Sequence, residues 1–79
     1  MDLTPYYYHA SNNREVYHSN VNLTKAYNPR GGVMWVEGDL EMSGSESSTG
    51  CFIATGDITL TSTGGIQDMD GYPGIISKH

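Results

Sequence analysis

Several side chains in this sequence have types and spacings that could do chemistry. Asn20, Asp39 and Asp57 recur at one corner position of a repeat, and a column of carboxylate and amide oxygens is the raw material of a calcium site. Hard cations take six or more oxygens in a closed arrangement. The simpler role for these residues is an Asx-type turn, in which the side chain accepts a backbone N–H after glycine. Glu37, Asp39 and Glu41 form an acidic row, with Thr55, Asp57 and Thr59 at the same places one unit later. A pair of carboxylates can cleave a glycosidic bond, but these lie along one strand with no second wall, so a solvated face is expected. His9, His18 and His79 are too scattered to imply a metal site. Cys51 is the one cysteine, so it forms no intramolecular disulfide. It is expected beside Val33, partly exposed. Gly64-Gly65 has neither the Lys-Ser/Thr pair nor the following helix of a phosphate loop. No catalytic residue, no metal and no cofactor is expected.

The elements that must position these residues come from self-similarity. Gly32-Val33-Met34-Trp35-Val36-Glu37-Gly38-Asp39-Leu40 falls on Gly50-Cys51-Phe52-Ile53-Ala54-Thr55-Gly56-Asp57-Ile58 when shifted by eighteen positions. A shift back by nineteen reaches Val16-Tyr17-His18-Ser19-Asn20-Val21, with Asn20 in the Asp place. Ile75-Ile76-Ser77-Lys78 resembles Ile53-Ala54-Thr55-Gly56 at an offset of about twenty-two, with residues 67–73 as an inserted loop. A fixed repeat of this length is the signature of stacked units. Within each unit the apolar residues alternate with period two, which reads as strand, and Gly38 and Gly56 break each unit into two short strands. At about 3.3 Å per residue, such a unit traces one coil of two or three sides. The fold expected is therefore all-β: a short parallel β-solenoid (β-helix) of about three coils with a short N-terminal helix as cap. It forms a single domain over residues 1–79, with residues 1–13 the cap, 14–66 the coils, and 67–79 a loop and the start of a further coil.

The alternation puts Met34, Val36, Leu40 and Met42 inward over Phe52, Ala54, Ile58 and Leu60, with Tyr17, Val21 and Leu23 in the first coil. The outward face is not uniformly polar. Val16, Trp35, Ile53 and Ile75 take one outward position in successive units and form an apolar stripe, which something must cover. The favoured cover is a helix over residues 5–10, with Thr4 as N-cap, Pro5 at the first helical position and Leu3 stapled on Tyr8. The alternative is a partner-binding surface.

Composition narrows the function. The 79 residues carry ten Gly and six Tyr, 37% hydrophobic and 16% charged residues, and a formal charge of −5. The four Lys/Arg form no footprint for nucleic acid or an anionic membrane surface. No stretch approaches the roughly 18 apolar residues of a membrane span, so no nucleic-acid partner and no direct membrane insertion are expected.

The Gly-Asp units at residues 31–40 and 53–60, with Tyr72-Pro73-Gly74-Ile75-Ile76-Ser77, resemble the Gly-Asp repeats of bacterial surface proteins associated with pilus assembly. Less closely, they resemble the bactofilin type of cytoskeletal β-helix. The likeness covers about residues 16–77, and residues 2–10 are similar to the lead-in of the pilus-associated group. It implies a non-catalytic structural or adhesive module of a bacterial cell-surface or pilus-associated protein, extracellular, with its signal or anchor upstream. No family catalytic residue carries over. The alternatives are a carbohydrate-binding or carbohydrate-cleaving β-helix fragment using the acidic row, or a phage-type spike segment. The open end at Ile75-Ile76 is expected to support weak self-association, and a surface-protein partner is the other partner expected.

Overall fold

The computed structural model describes residues 2–67 and 74–77. The chain opens with a helix, α1 (Thr4–Asn12), and continues through short strands. These are β1 (Val16–Tyr17), β2 (Val21–Leu23), β3 (Val33–Val36), β4 (Leu40–Met42), β5 (Ser48–Thr49), β6 (Cys51–Ala54), β7 (Ile58–Leu60), β8 (Ile66–Gln67) and β9 (Ile75–Ser77). They form three parallel sheets with the orders β1-β3-β6-β9, β2-β4-β7 and β5-β8.

This corrects the expected all-β solenoid. One helix packs against three separate parallel sheets, and no sheet closes or curls into a coil. The reason is local. Strands of two to four residues end at each corner, so every unit gives separate short strands to separate sheets rather than one strand that curls from side to side. The third side is narrowest, with two strands of two residues each. Residues 68–73 of the expected insertion, and His79, lie outside the described residues.

The repeat survives as register. Met34 pairs with Phe52, Val36 with Ala54, Leu40 with Ile58 and Met42 with Leu60, each eighteen apart. Val16 pairs with Trp35 and Val21 with Leu40, nineteen apart. The last strand differs from expectation. Phe52 pairs with Ile75 and Ile53 with Ile76, an offset of twenty-three. Because side chains alternate along a strand, a slip of one residue exchanges faces. Ile75 therefore continues the inward column of Phe52, and Ile76 takes the outward place assigned to Ile75.

Two apolar clusters result, one on each side of the four-stranded sheet. The inner one contains Met34, Val36, Leu40, Met42, Phe52 and Ala54, flanked by Tyr17, Val21, Leu23, Tyr27, Ile58 and Ile66. The outer one contains Ala10, Val33, Trp35, Cys51 and Ile53, flanked by Leu3, Tyr6, Tyr7, Val16 and Ile76. Strands β3 and β6 are consequently buried at every position. Each fully buried large side chain contributes about 1.5–3 kcal/mol. Cys51, expected to be partly exposed, lies wholly within the outer cluster.

Candidate functional site

The helix explains the outer stripe. Helix α1 lies on β3, and Tyr7 meets Trp35 edge-to-face at 5.3 Å between ring centroids. Val16, Trp35 and Ile53 are thus covered from within the chain. The cap differs in detail from expectation. Leu3 takes the N-cap position without a side-chain bond, and the Asp2 carboxylate accepts the Thr4 amide at 3.0 Å. That bond holds the Asp2 carboxyl below its usual range. Tyr8, expected to staple to Leu3, is 60% exposed.

The corner residues come together as the register requires, but by a different bond from the local turn. Asn20 Oδ1 accepts the amide of Asp39 at 2.8 Å, and Asp39 Oδ1 accepts the amide of Asp57 at 2.8 Å. Each side chain therefore reaches forward to the backbone of the next unit. Glycine precedes each donor, Asp39 and Asp57, because the forward reach of the acceptor occupies the space where a Cβ would stand. A Cβ on Gly56 would stand 2.1 Å from Asp39 Oδ1, and one on Gly38 would stand 2.6 Å from Asn20 Oδ1. Asn28 makes the analogous bond on the third side, accepting the Thr49 amide at 2.8 Å.

Beside this corner, Asn20, Asn22, Asp39, Glu41, Asp57 and Thr59 line a groove. Glu37 of the acidic row pairs instead with His18, whose Nδ1 meets its Oε1. The row is therefore split. Glu37 is bound to an imidazole, Asp39 to a backbone amide, and Glu41 faces solvent. Among the described residues, no group of three or more His, Cys, Asp or Glu side chains is placed to hold a metal ion. No helix of the described residues is long and apolar enough to cross a membrane.

The most developed polar cluster is one the sequence reading did not single out. Glu15 is fully buried. Its carboxylate accepts the Tyr17 hydroxyl at 2.6 Å, the Tyr27 hydroxyl at 2.8 and 2.9 Å, and the Arg30 amide at 2.8 Å. Arg30 Nε stands 3.5 Å away. Burial pushes the Glu15 carboxyl up, but the bonds from Tyr17, Arg30 and Tyr27, with the Arg30 charge, bring it below the usual carboxylate range. Burial, together with this carboxylate, pushes both phenols up. These bonds tie Glu15 of the first unit to Tyr17, to Tyr27 and to the turn at Arg30. Arg30 also donates to the Asn13 and Arg14 carbonyls at 3.2 and 3.0 Å, and His9 Nε2 lies 2.6 Å from the Gly31 carbonyl. The turn Arg30–Gly32 is thereby tied to the helix exit.

The repeat held a signal for Glu15. The Trp35 amide donates to the Glu15 carbonyl at 2.8 Å, directly ahead of the Val16–Trp35 pair. Carried one residue back, the register puts Glu15 in the inward column of Met34 and Phe52, where an acid demands donors. Tyr27 and Ser48 carried no such signal; the Tyr27 amide donates to Ser48 Oγ at 2.8 Å across the weakly patterned third side.

Comparison of the chain with protein-family models, with curated proteins and with solved structures finds no match.

Proposed function

We propose that this chain is a non-catalytic structural or adhesive module, made by stacking Gly-Asp units, of a bacterial cell-surface or pilus-associated protein. The observation that carries the proposal is the corner bond. The oxygens best placed for chemistry, those of Asn20 and Asp39, are engaged by backbone amides of the next unit, and the buried Glu15 is saturated with donors. Side chains committed in this way hold units together. The surface placement follows from the resemblance of the Gly-Asp units to pilus-associated proteins, and partners on such a surface include a neighbouring surface protein or a second copy.

The test addresses the carbohydrate alternative, for which the groove beside Glu41 is the specific feature. Wild type and a Glu37→Gln/Glu41→Gln double variant are screened for binding and hydrolysis of glycans. The structural reading expects the two proteins to behave alike, without turnover. Hydrolysis by the wild type that the double variant loses would replace it with the carbohydrate reading.

A further inference from the structure

We propose that the end of the stack formed by β7, β8 and β9 is a contact face for a second copy of this chain, joined end to end about a two-fold axis into a closed dimer. The two ends of the stack differ. At the first, the interior finishes in the hydrogen-bonded Glu15, Tyr17 and Tyr27, whose polar atoms are engaged within the chain. At the last, the inward columns stop without a polar finish. Leu60, inward in the column of Met42, is 41% exposed, and Ile75, inward in the column of Phe52, is 39% exposed. Among the described residues, β7, β8 and β9 each stand last in the strand order of their sheet, beside this apolar surface. Edges of this kind are normally blunted with charge, lysine above all. None of the three strands carries a charged residue.

The absence of charge in these strands bears on which partner fits. In a two-fold contact the same patch meets itself, so any charge in its strands would face its own sign, and a chain of formal charge −5 has few faces that escape this. The stacking chemistry disfavours the other self-contact, head to tail. The second and third units place Gly38 and Gly56 above the preceding acceptor, where a Cβ would come within 2.6 and 2.1 Å of that oxygen. The first unit offers Ser19 ahead of Asn20, so stacking it on the last unit of another copy would press Ser19 onto Asp57. Head-to-head contact makes no such demand and closes at two copies.

Sedimentation equilibrium of the whole chain over a range of concentrations tests this. The expected result is a reversible monomer–dimer equilibrium with no larger species. Leu60→Lys is expected to weaken the dimer by roughly tenfold or more, the factor that corresponds to about 1.4 kcal/mol. Thr59→Lys, on the exposed side of the same edge, serves as a second variant if Leu60→Lys fails to fold. Ile76 is a poor choice because it packs on the helix-covered cluster. Asn22→Lys at the opposite end is expected to leave association unchanged. A chain that stays monomeric throughout, assemblies that grow beyond two, or equal weakening by Asn22→Lys would each overturn the proposal. The proposal deepens the structural-module reading, yet the two fail separately: glycan turnover would end that reading without touching the dimer, and sedimentation would end the dimer without touching that reading.

Discussion

Strands β3 and β4 belong to one unit, separated only by the Gly38-Asp39 corner, yet they live in different surroundings. Strand β3, Val-Met-Trp-Val, is buried at every position; β4, Leu-Glu-Met, is buried only at alternate ones. The difference is the helix: α1 covers the outer face of the four-stranded sheet, while the outer face of the three-stranded sheet keeps Asn22, Glu41 and Thr59 exposed. An unbroken apolar strand is therefore the mark of two covered faces and an alternating one the mark of a single covered face. A chain of this size gains most of its stability where both faces are dry.

The largest break in that comparison comes from emptying the doubly covered sheet. Phe52→Ala is expected to cost about 3–5 kcal/mol, against about 1 kcal/mol for Leu60→Ala at the exposed end of the three-stranded sheet. Chemical denaturation of both variants decides it; similar costs would mean that the second covered face contributes nothing. Next comes the polar finish of the inner column. Glu15→Ala leaves two phenols and an amide without their acceptor and is expected to cost roughly 3 kcal/mol, whereas Glu15→Gln, which keeps one acceptor oxygen, is expected to cost about 1 kcal/mol. The same melts report both.

Smaller again is the corner that joins the two sheets. Gly56→Ala is expected to destabilise by about 1–3 kcal/mol through overpacking. Adding Asp39→Ala is expected to recover only part of this, because the new Cβ would also stand 2.9 Å from the Gly38 carbonyl oxygen. Full recovery would show that the carboxylate alone sets the demand for glycine.

The mildest test is pH. The Glu15 carboxyl is lowered on folding, so its contribution is present above its unfolded value near 4.5 and is lost as pH falls through the folded value. The Tyr17 and Tyr27 phenols are raised, so their contribution is present below the unfolded value near 10.0 and is lost as pH climbs above it. Wild type should lose stability on both flanks, and Glu15→Gln should flatten the acid flank. An acid flank unchanged in that variant would assign it to other carboxylates.

Much of this was legible in the sequence, and the unread parts have physical causes. The pairs Val36–Ala54 and Leu40–Ile58 followed from the repeat because β3 with β6 and β4 with β7 keep a constant spacing. Ile75 was assigned to the wrong face because its unit follows residues 68–73, across which no constant spacing holds, and a slip of one residue is enough to invert a strand. The all-β closed coil failed because periodicity reports which residues stack but not whether their short strands join into one curling sheet or stay in three. Asn20, Asp39 and Asp57 were recognised as a column, but the direction of their bonds was invisible: a turn within a unit and a bond to the next unit use the same residue types. Glu15 was missed because the repeat was read from Val16 onward.

No unit of this protein owns a whole corner: the acceptor sits in one, and the amide it binds, with the glycine that makes room for it, sits in the next. Copying residues 39–56 in tandem would leave every seam intact, since each copied Asp would again follow a glycine. Splicing at this phase is the way such a chain can grow or shrink by a rung at a time without new chemistry, whereas a cut at any other phase would also have to preserve the turns and third side it interrupts.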